Sequence, residues 1–430
     1  MSKYKNFLVK TASIIIFISV MGAGLYMFWQ EKIETNEPKD KFSAFGGELY
    51  EVIQDNYWEK VSDERLSSIF KEATIAVLGQ ADSLTEKNKE GVTLMLENSL
   101  GDRTDDEKRQ AVIEIGSLIA SNLPPTGIGG ILSTKQETDL RNTVANIDTS
   151  RTLYDIIETN ENADSDQIAS AANLKIKEIA ESSDENKEEK IKEVEYAQLV
   201  LTNNNNRVMY DESRIEPTIF DKKISEDTLY LHIKRFSPTT YNEFLNTMQS
   251  YGNLKAPQNL IIDIRGNIGG STDVVPYILG LFVGQGKYVY DFYKQGEYIP
   301  TKTQIQKLPE LSPFVNIVLL TDNGTQSSSE LFVAGFKSYN IGMVLGDKTG
   351  GVGAIKNTFP LNTKISDNES HSLYMVHIIT LTDNGQPIHG NGVEPDIYLK
   401  DKNWQNKLSV YYPQPFIREI SDSINDRPTF

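Results

Sequence analysis

The chain has 430 residues, room for two or three domains, and carries 60 acidic against 43 Lys and Arg side chains for a formal net charge of −17. That balance repels phosphate backbones and excludes nucleic acid as a partner. There is no cysteine, and only four histidines, His232, His371, His377 and His389, with no close helical pair. Thiol nucleophiles and disulfides are therefore excluded, and neither a metal nor a cofactor is expected.

Lys3, Lys5 and Lys10 precede an uncharged run over 11–29 that ends in Tyr26, Met27, Phe28 and Trp29. Its length and aromatic end predict an uncleaved transmembrane anchor within residues 1–30, with a cytoplasmic amino terminus and the bulk outside the cell membrane. A polar linker follows. Leu49, Val52, Ile53, Tyr57, Leu66, Ile69, Phe70 and Ala73 recur at helical spacing across 49–78, and a second helical block covers 105–120. Pro124 and Pro125 mark a break within this helical amino-terminal region, 42–147. A further acidic helical unit spans 148–213, with a turn expected at 203–206.

Beyond Thr228 the period changes. Strands are expected at 229–233, 260–264, 317–321, 343–346 and 373–380, with helices at 241–251, 273–282 and 328–338. This alternation predicts an α/β core over 214–430, its largely parallel sheet covered by helices on both faces.

Two turns at the carboxyl edge of that sheet carry candidate chemistry. One strand runs into Arg265-Gly266-Asn267-Ile268-Gly269-Gly270, another into Thr325-Gln326-Ser327-Ser328-Ser329-Glu330. A serine at a strand-to-helix turn holds its hydroxyl beside free helix-start amides, and a glycine turn from the neighbouring strand adds further donors for an oxyanion. Taken singly, a serine-rich turn is an ordinary helix cap and a Gly-Gly pair an ordinary tight turn.

Together with Gly346-Asp347-Lys348-Thr349 and Gly390-Asn391-Gly392-Val393-Glu394-Pro395-Asp396, these turns resemble the carboxyl-terminal processing, or tail-specific, serine peptidase family. The resemblance covers about 228–398. It implies a crotonase/Clp-like core, a protein or peptide substrate, an acyl-enzyme on Ser327, and an oxyanion hole from the amides of Ser328 and of Gly269 or Gly270. The family's catalytic lysine falls on Val352, and the place of the glutamine that orients it is taken by Lys356. Lys356 is accordingly expected to supply the base from a shifted position; the other reading makes it a surface lysine on a strand. His232, His377 and His389 are read as structural. Loss of the usual lysine also admits a pseudopeptidase that binds peptides without cleaving them.

The family's PDZ module has no counterpart here. Leu153, Tyr154, Ile157, Ala163, Ile168, Ala172, Val194, Ala197, Leu201, Arg207, Tyr210 and Asp211 resemble a J-domain instead, but 180–190 lacks His-Pro-Asp. The resemblance implies a helical docking or spacing module, with a possible protein partner, that does not stimulate a chaperone ATPase.

Overall fold

The computed structural model describes residues 40–125, 127, 129–251 and 258–425. The expected anchor at 1–30 lies outside them, and among the described residues no helix is long and apolar enough to cross a membrane. Helices α1 (Lys41–Asn56), α2 (Asp63–Leu78), α3 (Lys89–Leu100) and α4 (Asp105–Asn122) open the described chain. Each begins at a capping side chain: Asp40, Ser62, Asn88, and Thr104 in a capping box with Glu107. Their apolar stripes meet in one core around Phe45, Leu49, Phe70, Leu96 and Ile115. Helix α3 escaped the sequence reading because Gly91 and Thr93 weaken its local propensity, whereas burial of Val92, Met95, Leu96 and Leu100 supports it.

This region is not purely helical, as the sequence suggested. Strand β1 (Gly130–Ser133) pairs antiparallel with β10 (His371–Leu381). Leu361, Ile365, Leu373 and Met375 complete the helical core. The amino-terminal helices are thus built onto a sheet whose remaining strands lie more than 150 residues downstream, a pairing no local pattern encodes.

After α5 (Thr134–Ala145), helices α6 (Leu153–Ile157), α7 (Ser165–Glu181), α8 (Lys187–Thr202) and α9 (Asn204–Ser213) form the middle module. Its core comprises Leu153, Tyr154, Ile157, Ala163, Ile168, Ala172, Val194, Ala197, Leu201 and Tyr210. Arg207 Nε donates to the Tyr154 hydroxyl at 3.0 Å, which donates to Asp211 at 2.8 Å. The turn expected at 203–206 shrinks to one residue. Asn203 accepts the amides of Asn205 and Asn206, both at 3.1 Å, so residues 204–206 become the first turn of α9.

The core holds a six-stranded sheet ordered β11-β8-β7-β4-β3-β2. Strands β3 (Thr228–Ile233), β4 (Asn259–Asp263), β7 (Asn316–Thr321), β8 (Met343–Gly346) and β11 (Ile397–Tyr398) run parallel; β2 (Ile219–Lys223) closes one edge antiparallel. Alternate residues serve two faces. Leu260, Ile262 and Leu319 pack under α10 (Thr240–Tyr251), α11 (Val275–Val283) and α12 (Ser328–Ser338). Ile261, Val318 and Leu320 pack over α13 (Trp404–Leu408) and α14 (Gln414–Asn425).

A second, antiparallel sheet joins β1 and β10 to β5 (Tyr288–Lys294), β6 (Glu297–Lys302) and β9 (Ala354–Leu361). The parallel-rich expectation therefore describes one of two sheets. Strands β5, β6 and β9 mix Pro, Asn, Asp and Lys among aromatics, and the long-range ladder, rather than local propensity, makes them strands.

Candidate active site

Strand β7 ends at Thr321, and six residues later the chain enters α12. Ser327, at the junction, has φ 58° and ψ −125°, a left-handed conformation that L-residues avoid unless their surroundings impose it. Those surroundings are a dense hydrogen-bond frame. The Thr325 hydroxyl donates to the Ile264 carbonyl at 3.1 Å, and the Gln326 amide to the Asn267 carbonyl at 2.9 Å. Asn267 is wholly buried; its side chain holds the Ile233 carbonyl, the Gly269 amide and the Ser329 hydroxyl. The glycine turn after β4 and the serine turn after β7 are thereby fastened to each other.

Glu330 is the second fastener, absent from the sequence-derived site. Fully buried, it accepts four hydrogen bonds: Thr349 Oγ1 at 2.5 Å and the Gly351 amide at 2.7 Å on Oε1, the Val352 amide at 2.7 Å and the Ser327 amide at 3.0 Å on Oε2. One carboxylate thus ties the nucleophile turn to the segment that follows β8. The Ser-x-x-Glu spacing is that of a capping box, the signal from which it was readable.

The residues expected around an oxyanion come together. Gly269 has φ 90°, and a Cβ there would lie 2.7 Å from Ser327 Cβ and 3.0 Å from the Ser328 amide. Only glycine allows that approach. Its own amide is engaged by Asn267, whereas the amides of Ser328 and Gly270 donate to no described residue. The Ser327 side chain is half-buried.

Val352 stands half-buried on the Glu330 clamp and brings no basic group to it. Lys356 lies on β9 opposite Val376 of β10. It is half-buried, has no ion pair among the described residues, and desolvation pushes its amine below the ordinary lysine value. His389 enters unexpectedly. Its Nδ1 is buried without a partner among the described residues, and its ring is within electrostatic reach of both Glu330 and Lys356. Desolvation lowers its pKa most, Lys356 opposes protonation further, and Glu330 favours it. A lone histidine in a glycine-rich turn gave the sequence no reason to single it out.

The other histidines are engaged elsewhere. His232 Nδ1 is 3.0 Å from the Asp263 carbonyl, and His377 Nδ1 is 2.6 Å from the Asn56 carbonyl. His371 is buried on β10, where desolvation lowers its pKa. Lys348 pairs with Glu394 at 3.0 Å. Among the described residues no group of His, Asp and Glu is arranged to hold a metal.

Residues 227–399 match the model of Peptidase family S41. A probable CtpA-like serine protease of Staphylococcus aureus strain N315 is 28% identical over 149 residues, 35% of this chain and 29% of that protein. A probable CtpA-like serine protease of Staphylococcus epidermidis is 26% identical over 200 residues, 43% of this chain and 39% of that protein. The chain thus spans well under half the length of these curated relatives. Among solved structures, the photosystem II D1 C-terminal processing protease superposes with a TM-score of 0.47 and 12% identity, over 83% of this chain and 92% of that one.

Proposed function

We propose, from a core over residues 227–399 that matches the model of Peptidase family S41, that this chain is a membrane-anchored serine endopeptidase of the carboxyl-terminal processing type. The observation that carries the reading is Ser327: a half-exposed serine held at φ 58° next to the Ser328 amide, which, like that of Gly270, donates to no described residue. In this reading the Ser327 hydroxyl adds to a peptide carbonyl and the two amides bind the developing oxyanion. Lys356 is the base in its neutral form, which burial without a carboxylate partner favours. Substrates are extended protein or peptide segments, recognised chiefly by backbone pairing at a free sheet edge. The core is of the crotonase/Clp-like type. The run over 11–29 places it outside the membrane, and the module at 148–213 spaces it or docks a protein partner.

A fluorophosphonate probe tests this directly, because stable labelling needs an activated serine. Wild type labels and cleaves an unstructured peptide, and Ser327→Ala does neither. Labelling that persists in Ser327→Ala would remove the assignment. The second reading, a peptide-binding pseudopeptidase, rests on Val352 in the lysine's place and is favoured if wild type binds extended peptide but resists the probe.

A further inference from the structure

The turn at 388–392 lies flat on the segment that carries Val352. The Gly390 amide donates to the Gly351 carbonyl at 2.9 Å, and a Cβ on Gly353 would lie 2.3 Å from the His389 backbone nitrogen. The Val352 and Ser327 amides share a single oxygen, Glu330 Oε2, at 2.7 and 3.0 Å. Their nitrogens are therefore no farther apart than those two distances combined. Residues 351–353 thus join the Ser327–Glu330 frame to the backbone at His389. His389 Nδ1 is buried without a partner among the described residues.

Resting on the reading of Ser327 as nucleophile, we propose that His389 is a second proton acceptor of the site, serving Ser327 while Lys356 is still an ammonium ion. A buried imidazole nitrogen without a partner is costly for a merely structural residue, and with the ring proton on Nε2 it is a free acceptor. The charged groups facing the ring are Glu330 from α12 and Lys356 from β9. The nearby Glu394 on its own loop is held by Lys348 at 3.0 Å. Burial and Lys356 keep the resting imidazole neutral; Glu330, fixed by four donors, stabilises the imidazolium once it forms.

Nδ1 takes the Ser327 proton as Oγ bonds to the carbonyl carbon. The imidazolium returns that proton to the leaving amine as the C–N bond breaks, leaving an ester on Ser327. Water then repeats the sequence: its proton passes to Nδ1, its oxygen adds to the ester carbon, and Oγ departs with the proton.

The test compares full-length wild type, His389→Gln and Lys356→Met by kcat/KM against pH on a quenched unstructured peptide, with fluorophosphonate labelling in parallel. His389→Gln is expected to lower kcat at neutral pH on the order of 10²–10⁴-fold with little change in KM. Imidazole added to His389→Gly restores part of the rate, which repair of a structural defect would not do. In Lys356→Met the acid limb moves to higher pH, because no ammonium opposes the imidazolium. A His389→Gln enzyme with wild-type kcat and an unmoved acid limb overturns the proposal while Ser327 still labels. Wild type that neither labels nor cleaves overturns the peptidase reading and this inference together.

Discussion

The turn at Ser327 and the residues Lys356 and His389 are built on opposite principles. Around Ser327 a dense hydrogen-bond frame fixes the turn, although the buried Ser328 Oγ has no partner among the described residues. Glu330 accepts four hydrogen bonds, and the buried Asn267 side chain holds two backbone groups and a hydroxyl. Lys356, by contrast, has no ion pair and the Nδ1 of His389 no hydrogen bond among the described residues. The difference separates two tasks. A strained serine needs an overdetermined frame to hold it, whereas a proton acceptor needs a low affinity for its resting proton and a free lone pair, which burial without a partner provides.

The strongest way to break this comparison is Ser327→Ala, expected to cost on the order of 10⁴–10⁶-fold in peptide hydrolysis with an unchanged melting temperature. A large loss of stability instead would mean that the hydroxyl belongs to the frame. Glu330→Ala attacks the frame itself. It leaves Thr349 Oγ1 and the amides of Ser327, Gly351 and Val352 without their acceptor, and at least about 3 kcal/mol of denaturant stability should be lost.

Gly269→Ala sharpens the contrast at smaller scale. With φ 90° and a Cβ 2.7 Å from that of Ser327, the substitution should shift the oxyanion turn. We expect kcat/KM to fall on the order of 10²–10³-fold, while Gly266→Ala, whose Cβ meets nothing within 4 Å, retains most activity.

The unpartnered side also predicts how stability responds to acid. Burial lowers the pKa of His371, His377 and His389, so the unfolded chain binds their protons more readily than the folded one. Stability is then intact above the ordinary histidine value of 6.5 and falls as the pH drops from there towards the lower folded values. His389→Gln should flatten part of that decline in melts taken across this window. The smallest effect belongs to the middle module. Tyr154→Phe removes its hydrogen bonds with Arg207 and Asp211 and should cost about 1 kcal/mol without altering cleavage of a short peptide. A changed rate would tie the module to the site.

The middle module was legible because its information is local. The apolar positions read at helical spacing, Ile168, Ala172, Val194, Ala197 and Leu201 among them, are the ones it buries. The parallel sheet was legible for the same reason, since continuous runs such as Leu260–Ile262 are buried on both faces. Strands β5, β6 and β9 were not, because their polar and aromatic mixtures become strands only by pairing with segments far along the chain.

For the site, the chain's order of residues determined the two turns and the serine at a strand-to-helix junction, and put Val352 where the family resemblance implies a lysine. Each is a matter of residue type and near neighbours. Tertiary structure alone decided that the Gly269 amide is occupied while that of Gly270 is not, that Glu330 joins two segments, and that the charges of Glu330 and Lys356 both act on His389. Those relations depend on which backbone groups find partners and which charges face each other across separate strands, and neither is set until the sheets have closed around them.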